Sequence, residues 1–460
     1  MSQSSTRSLV RTARLAAAGC AAAVAFFCMT SNAHANGRYP KADQLVIAPD
    51  DQEFLAVRTT FGVLVSRDAG KNWDWICERA IGYSGVQDPT LGLLEGDTLL
   101  ASLSEGIARS TDRGCSWGIS DADLDGSPVI DLSVRRAAPN QALALVWDAQ
   151  TVGYSSRILV SDDQGRSFRP YGSPIDETVL VTTLDAAASD PHRVYASGTR
   201  SVDGVRSGWL FSSNDDGKHW SEYPVPFEPK LEQGVYIAAV DPEHADTVYL
   251  RTSSASVSRL LVSHDGGERF DVIYTGSLLS FALSPDGKQL YFGGEDGLHG
   301  GLAGDSKFEQ RSPLRVLCLA ATANTVYACS DEHSGFTVGA SDDGGFTFQP
   351  LLHLKTVRGP LACSAAECQS DWPLVRARLG IPLPNEPDGG PDASADDAGA
   401  RGDAGSPSVQ PPAVKARSSC ALDFSQSDGM SAPALLAACA LARSLSRRRR
   451  SRARSRLPAK

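Results

Sequence analysis

Most of the chemically able side chains in this chain recur in one fixed order, Ser-x-Asp-x-Gly-x-x-aromatic. The copies are Ser66, Asp68, Gly70 and Trp73; Ser110, Asp112, Gly114 and Trp117; Ser161, Asp163, Gly165 and Phe168; Ser213, Asp215, Gly217 and Trp220; Ser263, Asp265, Gly267 and Phe270; and Ser341, Asp343, Gly345 and Phe348. A hydroxyl two residues before a carboxylate could serve acid-base or metal chemistry, but the same pair also satisfies backbone N–H groups inside a tight turn. The glycine suits a left-handed backbone that other residues adopt at a cost. The aromatic opens the next strand and packs back into the apolar layer. The octet is thus a staple between two strands.

Other candidates for chemistry read as structure. The Gly-rich stretch from Gly293 to Gly304 holds Glu295, Asp296 and His299, and its composition predicts a hairpin. His219 and His264 occupy variable octet positions and read as solvated. No HExxH, GxSxG or phosphate-loop pattern occurs. The many acidic residues offer no pair that sequence singles out for glycoside hydrolysis. No catalytic, cofactor-binding or metal residue is therefore assigned, and no cofactor is expected.

The elements that must carry the octets follow from their spacing. Successive octet serines lie 44, 51, 52, 50 and 78 residues apart, and the last interval is twice 39. A seventh unit without an octet belongs in that interval. Its strands run from Leu279 to Leu283 and from Gln289 to Phe292 around Ser284-Pro285-Asp286-Gly287, with a degenerate hairpin from Gly297 to Phe308. Other units show the same early strands, as in Val240-Asp241-Pro242 before Thr247-Val248-Tyr249-Leu250. Four short strands per 40 to 50 residues fit one propeller blade.

These octets resemble the BNR or Asp-box propeller family, which includes sialidases, sortilin-type ectodomains and photosystem II stability and assembly factors. The resemblance covers roughly residues 42–355 and implies an all-β fold, a seven-bladed β-propeller with four-stranded antiparallel blades. It also implies that the octets sit in the turn between third and fourth strands, away from the ligand face. A sialidase would need an arginine cluster, a Tyr nucleophile with its Glu, an acid Asp and a Phe-Arg-Ile-Pro type motif. Arg38-Tyr39-Pro40 is the nearest match and lacks the Phe and Ile.

Six cysteines lie between the two termini: Cys77, Cys115, Cys318, Cys329, Cys363 and Cys368. They allow fifteen pairings. The expected set joins Cys318 to Cys329 across a strand connection, Cys363 to Cys368 around a small loop, and Cys77 to Cys115 between the first two blades. Metal binding is disfavoured, because no CxxC occurs and no His lies at ligand spacing.

The termini set the compartment. Arg7, Arg11 and Arg14 precede an apolar run from Leu15 to Met29, and Ala33-His34-Ala35 offers a cleavage site, so residues 1–35 read as a signal peptide. Fifteen apolar residues are short of the roughly 20 that span a bilayer. Ala17-Ala18-Gly19-Cys20 resembles a lipoprotein box, but the apolar run continues past it. The propeller occupies 36–360, and a Cys-containing segment on or after it occupies 361–381. A Pro/Asp/Gly/Ala linker at 382–418 is too poor in apolar residues to order itself.

Residues 419–460 contain Cys420, an apolar run from Ala432 to Ala442, and Arg447 to Arg450. That order resembles the myxobacterial C-terminal sorting tail, which implies transient membrane anchoring and processing near Cys420. The net charge of -10 includes three cations before Leu15 and nine from Arg443 onward. Without those twelve, about -22 remains on the middle, which excludes nucleic acid as a partner of the body. The expected protein is an exported, cell-surface or secreted binding or scaffold module for an unknown protein or glycan, with a sialidase-like glycoside hydrolase as the alternative.

Overall fold

A computed structural model of the chain describes residues 39–383 apart from 85–86, 125, 148–153, 306 and 364. The leader, most of the linker, and the tail with Cys420 lie outside the described residues.

Short apolar runs such as Val63-Leu64-Val65 and Leu143-Ala144-Leu145 are buried on both faces, which requires each sheet to lie between two others. Among the described residues there are seven such sheets, each built from four successive antiparallel strands. Blades I to VII span residues 42–76, 91–119, 129–175, 179–225, 232–276, 280–312 and 318–352. The first strands touch one another in order around the axis, and the first strand of blade I (Ala42–Ile47) closes on that of blade VII (Cys318–Ala321). The fold is the expected seven-bladed propeller.

Blade VI, which lacks the octet, has all four strands: Ser280–Leu283, Gln289–Gly294, Gly297–Leu302 and Glu309–Ser312. It keeps one Ser-x-Asp hydrogen bond, Ser284 Oγ to Asp286 Oδ1 at 2.7 Å, in the turn between its first and second strands. Blade III departs from the four-strand expectation. Asp121–Ala122, on the way in from blade II, pairs in parallel with its outer strand, Ser167–Ile175. Ser120 Oγ fixes that path by donating to Gly165 O at 2.6 Å.

The core is distributed between blades. Tyr195 and Leu210 of blade IV, for example, pack with Val235 and Leu250 of blade V, all four fully buried. Such contacts close a ring in which blades I and VII, at the two ends of the propeller, meet without a loop joining one directly to the other.

The segment after blade VII reinforces that region and corrects two expected disulfides. Residues 358–361 run beside the outer strand of blade I (Asp74–Ile76), with Trp75 N donating to Gly359 O at 2.7 Å and Leu361 N to Trp75 O at 2.9 Å. The helix Ala366–Arg378 then packs on the short helix Glu78–Ile81, where Arg79 holds Asp371 at 2.7 Å and Trp372 lies 5.6 Å from Trp75. This route joins Cys363 to Cys115 and Cys368 to Cys77, not Cys363 to Cys368 and Cys77 to Cys115. The two C-terminal cysteines are near in sequence, but entry into the helix between them aims one at blade II and the other at the end of blade I. Cys318–Cys329 forms as expected, between residues directly opposite in adjacent strands.

Candidate functional site

Every octet begins with the serine that ends a third strand, and each turn repeats one hydrogen-bond set. The serine Oγ donates to the Asp Oδ1 at 2.7 to 2.9 Å and accepts the glycine N–H at 2.8 to 2.9 Å. The Asp Oδ1 also accepts the N–H of the seventh octet residue, Asn72, Ser116, Ser167, His219, Arg269 or Thr347. The side chain of that same residue binds the other carboxylate oxygen. The bond to the Arg269 guanidinium, with its N–H, holds Asp265 down at about 2. The bonds from Thr347 hold Asp343 low in the same way, and those from His219 hold Asp215 low. In Asp68, Asp112 and Asp163 burial opposes the shift, and the hydrogen bonds together still win.

These carboxylates are therefore spent inside their own turns. His219 is exposed yet bound to Asp215 at 2.6 Å, and His264 lies 3.3 Å from Thr247 Oγ1. Among the described residues no three His, Cys, Asp or Glu side chains gather as a metal-holding group.

The octet glycines do more than turn the chain. All six have positive φ, from 72° to 113°, and so does the residue before each, such as Ala69, Arg113, Gln164 and Asp216. A Cβ on Gly70 would meet Leu351 of blade VII, on Gly114 Ile76 of blade I, and on Gly345 Leu298 of blade VI. The turn seats itself against the preceding blade. The aromatics follow suit: Trp73 is buried and donates from Nε1 to Leu351 O at 3.1 Å, whereas Trp117, Trp220, Phe270 and Phe348 are only half-buried.

In an antiparallel blade the octet turns and the turns joining first and second strands share one face, so the remaining loops form the opposite rim. Arginines stand there against carboxylates. Arg315 grips Glu295 with two bonds of 2.6 Å and reaches Asp331 at 2.9 Å; Arg259 grips Glu232 at 2.8 and 2.6 Å. Arg200 meets Glu222 at 2.9 Å and covers the Trp209 ring, and Arg58 meets Asp43 at 2.8 Å. Glu295, Asp296 and His299 do form the expected hairpin region but do not converge. Glu295 holds Arg315, Asp296 accepts from Tyr274 Oη at 3.0 Å, and His299 stacks on Phe292. Tyr39 is exposed and lies 3.3 Å from His333 Nε2, while Arg38 lies outside the described residues.

The channel holds the most unusual acid. First-strand side chains reach the next blade's first strand: Gln44 exchanges two hydrogen bonds with the Leu91 backbone, Asp131 accepts from Leu184 N at 3.1 Å, and Thr183 accepts from Ile237 N at 2.9 Å. They satisfy backbone groups that an axial strand edge leaves open. Burial pushes the Asp131 carboxyl up to about 7, and the neighbouring Asp185 charge adds to the effect against the N–H groups of Leu184 and Leu132. Asp185 itself accepts from Ser133 Oγ at 2.8 Å. A carboxyl held at about 7, as Asp131 is, can take up and release a proton near neutrality.

Sequence reading missed this pair. The available signal was a charge inside an apolar first strand, Val129-Ile130-Asp131-Leu132.

A folded-state value above the unfolded one near 4 makes Asp131's contribution to stability complete below about pH 4, and it is lost as pH rises through about 7. Asp131→Asn is expected to raise the thermal midpoint at pH 8 by about 3 °C or more and to leave it nearly unchanged at pH 4. Calorimetry at both pH values checks this; a difference that does not vary with pH would contradict it.

On the octet face, a groove of about 490 Å³ lies between blades III and IV. Its polar groups are largely bound to each other. Asp216 accepts from Tyr171 Oη at 3.0 Å and lies 3.1 Å from His192 Nδ1, and Arg135 donates to Pro191 O. It is a latched joint between blades.

No family model matches this chain, and no curated protein sequence does. Among solved structures it is similar to an ancestral GH74 enzyme, at 16% identity over 56% of this chain and 37% of that one, with a TM-score of 0.41. It is similar to YCF48 from Cyanidioschyzon merolae, at 13% identity over 63% of this chain and 92% of that one, with a TM-score of 0.44. It is also similar to the GH74 xyloglucanase from Xanthomonas campestris, at 12% identity over 70% and 65%, with a TM-score of 0.33. The chain spans little more than a third of the ancestral GH74 enzyme.

Proposed function

We propose that this chain is an exported propeller of the Asp-box kind that works as a non-enzymatic binding or scaffold module, displayed at the cell surface or released after processing of its tail near Cys420. The observation that carries this reading is the clasp after blade VII. Both long-range disulfides, Cys77–Cys368 and Cys115–Cys363, end in the segment through which the chain leaves the propeller toward residue 384. A pull from a C-terminal tether would pass through covalent bonds into blades I and II and would not peel the outer strand from blade VII. Disulfides also fit an oxidising environment outside the cytosol. The octet and rim carboxylates, held by donors, give rigid surfaces suited to recognition.

The second reading, a carbohydrate-active enzyme, has one observation in its favour: Asp131 near neutrality beside Asp185. Incubating the protein with a panel of aryl glycosides and polysaccharides from pH 5 to 8 separates the two. The binding reading expects no release of sugar or aglycone above buffer. Turnover that disappears in Asp185→Asn would replace it with the enzymatic one.

A further inference from the structure

Four arginines on the rim have carboxylate partners; Arg251, inside the propeller, has none among the described residues. It lies on the second strand of blade V (Val248–Ser254), opposite Tyr236 of the first strand (Glu232–Val240) and Leu260 of the third (Ser258–Ser263). Its neighbours on that face are apolar. Leu260 packs with Leu278 and Phe292, and Tyr249, two residues before Arg251, lies 5.3 Å from Phe281 of blade VI. The guanidinium carbon stands 4.8 Å from the Tyr236 ring centroid. Among the described residues neither the guanidinium nor Tyr236 Oη has a hydrogen-bond or ion-pair partner, though both residues keep some contact with solvent. The ring's position is built in: a Cβ on Gly234 would come within 2.8 Å of Tyr236 Oη and ring carbon, so only glycine lets the ring lie there.

A guanidinium set over an aromatic ring leaves its N–H fork free for a planar, bidentate acceptor. One positive charge with no acid near it matches one negative charge. Tyr236 Oη supplies a further donor beside it. An unpaired cation among apolar side chains is costly to keep.

We propose that Arg251 and Tyr236 form a receptor for one carboxylate group, on the face of blade V that packs toward blade VI, for a small carboxylic acid. The proposal deepens the binding reading above and rests on it. The two fail separately: turnover of a glycoside would overturn the binding reading, whereas failure here would leave a binding module whose ligand sits elsewhere.

The test is calorimetric titration of the full exported chain with sodium glucuronate, sodium benzoate, inorganic phosphate and glucose. At least one of the two carboxylates is expected to bind at a single site, glucuronate pointing to a sugar acid and benzoate to an aromatic acid, with glucose silent. Arg251→Met is expected to weaken that binding by more than about tenfold, and Arg251→Lys to weaken it less, because a lysine keeps the charge without the fork. The midpoint of Arg251→Met should be unchanged or higher, since the variant removes an unpaired charge from among apolar side chains, and this distinguishes lost recognition from lost folding. Silence of both carboxylates, equal binding by Arg251→Met, or tighter binding of phosphate would each overturn the assignment.

Discussion

With serine in place of both Cys363 and Cys368, the protein is expected to melt about 10 °C below the unmodified chain under oxidising conditions. The two bonds they form close loops of 291 and 248 residues. In the chain-entropy account, loops of that size contribute roughly 5 kcal/mol each. The second bond adds less than the first, because the first already holds the same segment against blade I. At about 2 °C per kcal/mol for a domain this large, the pair is worth at least 10 °C. The native-state consequence is local as well. Without the bonds, the segment at 358–361 depends on a few backbone hydrogen bonds to blade I and on the Arg358–Asp74 and Arg79–Asp371 ion pairs, whose arginines are exposed.

Proteolysis should then begin in the clasp. The Cys318→Ser/Cys329→Ser variant opens a loop of only 11 residues and should lose markedly less, about 3 kcal/mol in the same account. Differential scanning calorimetry of both variants decides the matter. Equal losses, or a clasp variant that melts with the parent, would show that ring closure does not depend on these bonds.

The architecture was legible because its signal is periodic. The octet marks six third-to-fourth strand turns, and the double interval between Ser263 and Ser341 places the unmarked blade where the strands Ser280–Leu283 and Gln289–Gly294 are found. The turn chemistry was legible too, since a serine, an aspartate and a glycine at those offsets have few other ways to satisfy one another. What sequence left unread depends on which blades become neighbours. Cys77 and Cys115 look like partners along the chain, yet the segment that returns across blades I and II takes one each. Asp131 and Asp185 are 54 positions apart and become a pair only because the first strands of blades III and IV stand side by side at the axis. Arg251 resembles any strand arginine until the absence of an acid around it is known.

The contact between neighbouring blades yields the other large effect, at a glycine outside every octet. Gly172 lies in the outer strand of blade III with φ of 71°, and a Cβ there would sit 2.3 Å from Gly217 O and 2.4 Å from its carbonyl carbon. Those atoms are the backbone of the octet turn of blade IV, so no side-chain rotation relieves the clash. The same joint is bonded on both sides: Ser173 N donates to Gly217 O at 2.7 Å, Ser173 Oγ to Lys218 O at 2.9 Å, and Trp220 Nε1 to Ser173 O at 3.1 Å. Gly172→Ala must force the two blades apart and strain or break these bonds. The expected loss is about 4 kcal/mol, of which roughly 1 kcal/mol is the left-handed backbone and the rest is the joint. Gly204 supplies the comparison, because it has φ of 78° at a hairpin tip with nothing within 4 Å of its would-be Cβ. Gly204→Ala should cost only the backbone part, about 1 kcal/mol. Urea unfolding of the two variants measures the difference directly, and equal losses would mean that the octet turns do not couple one blade to the next.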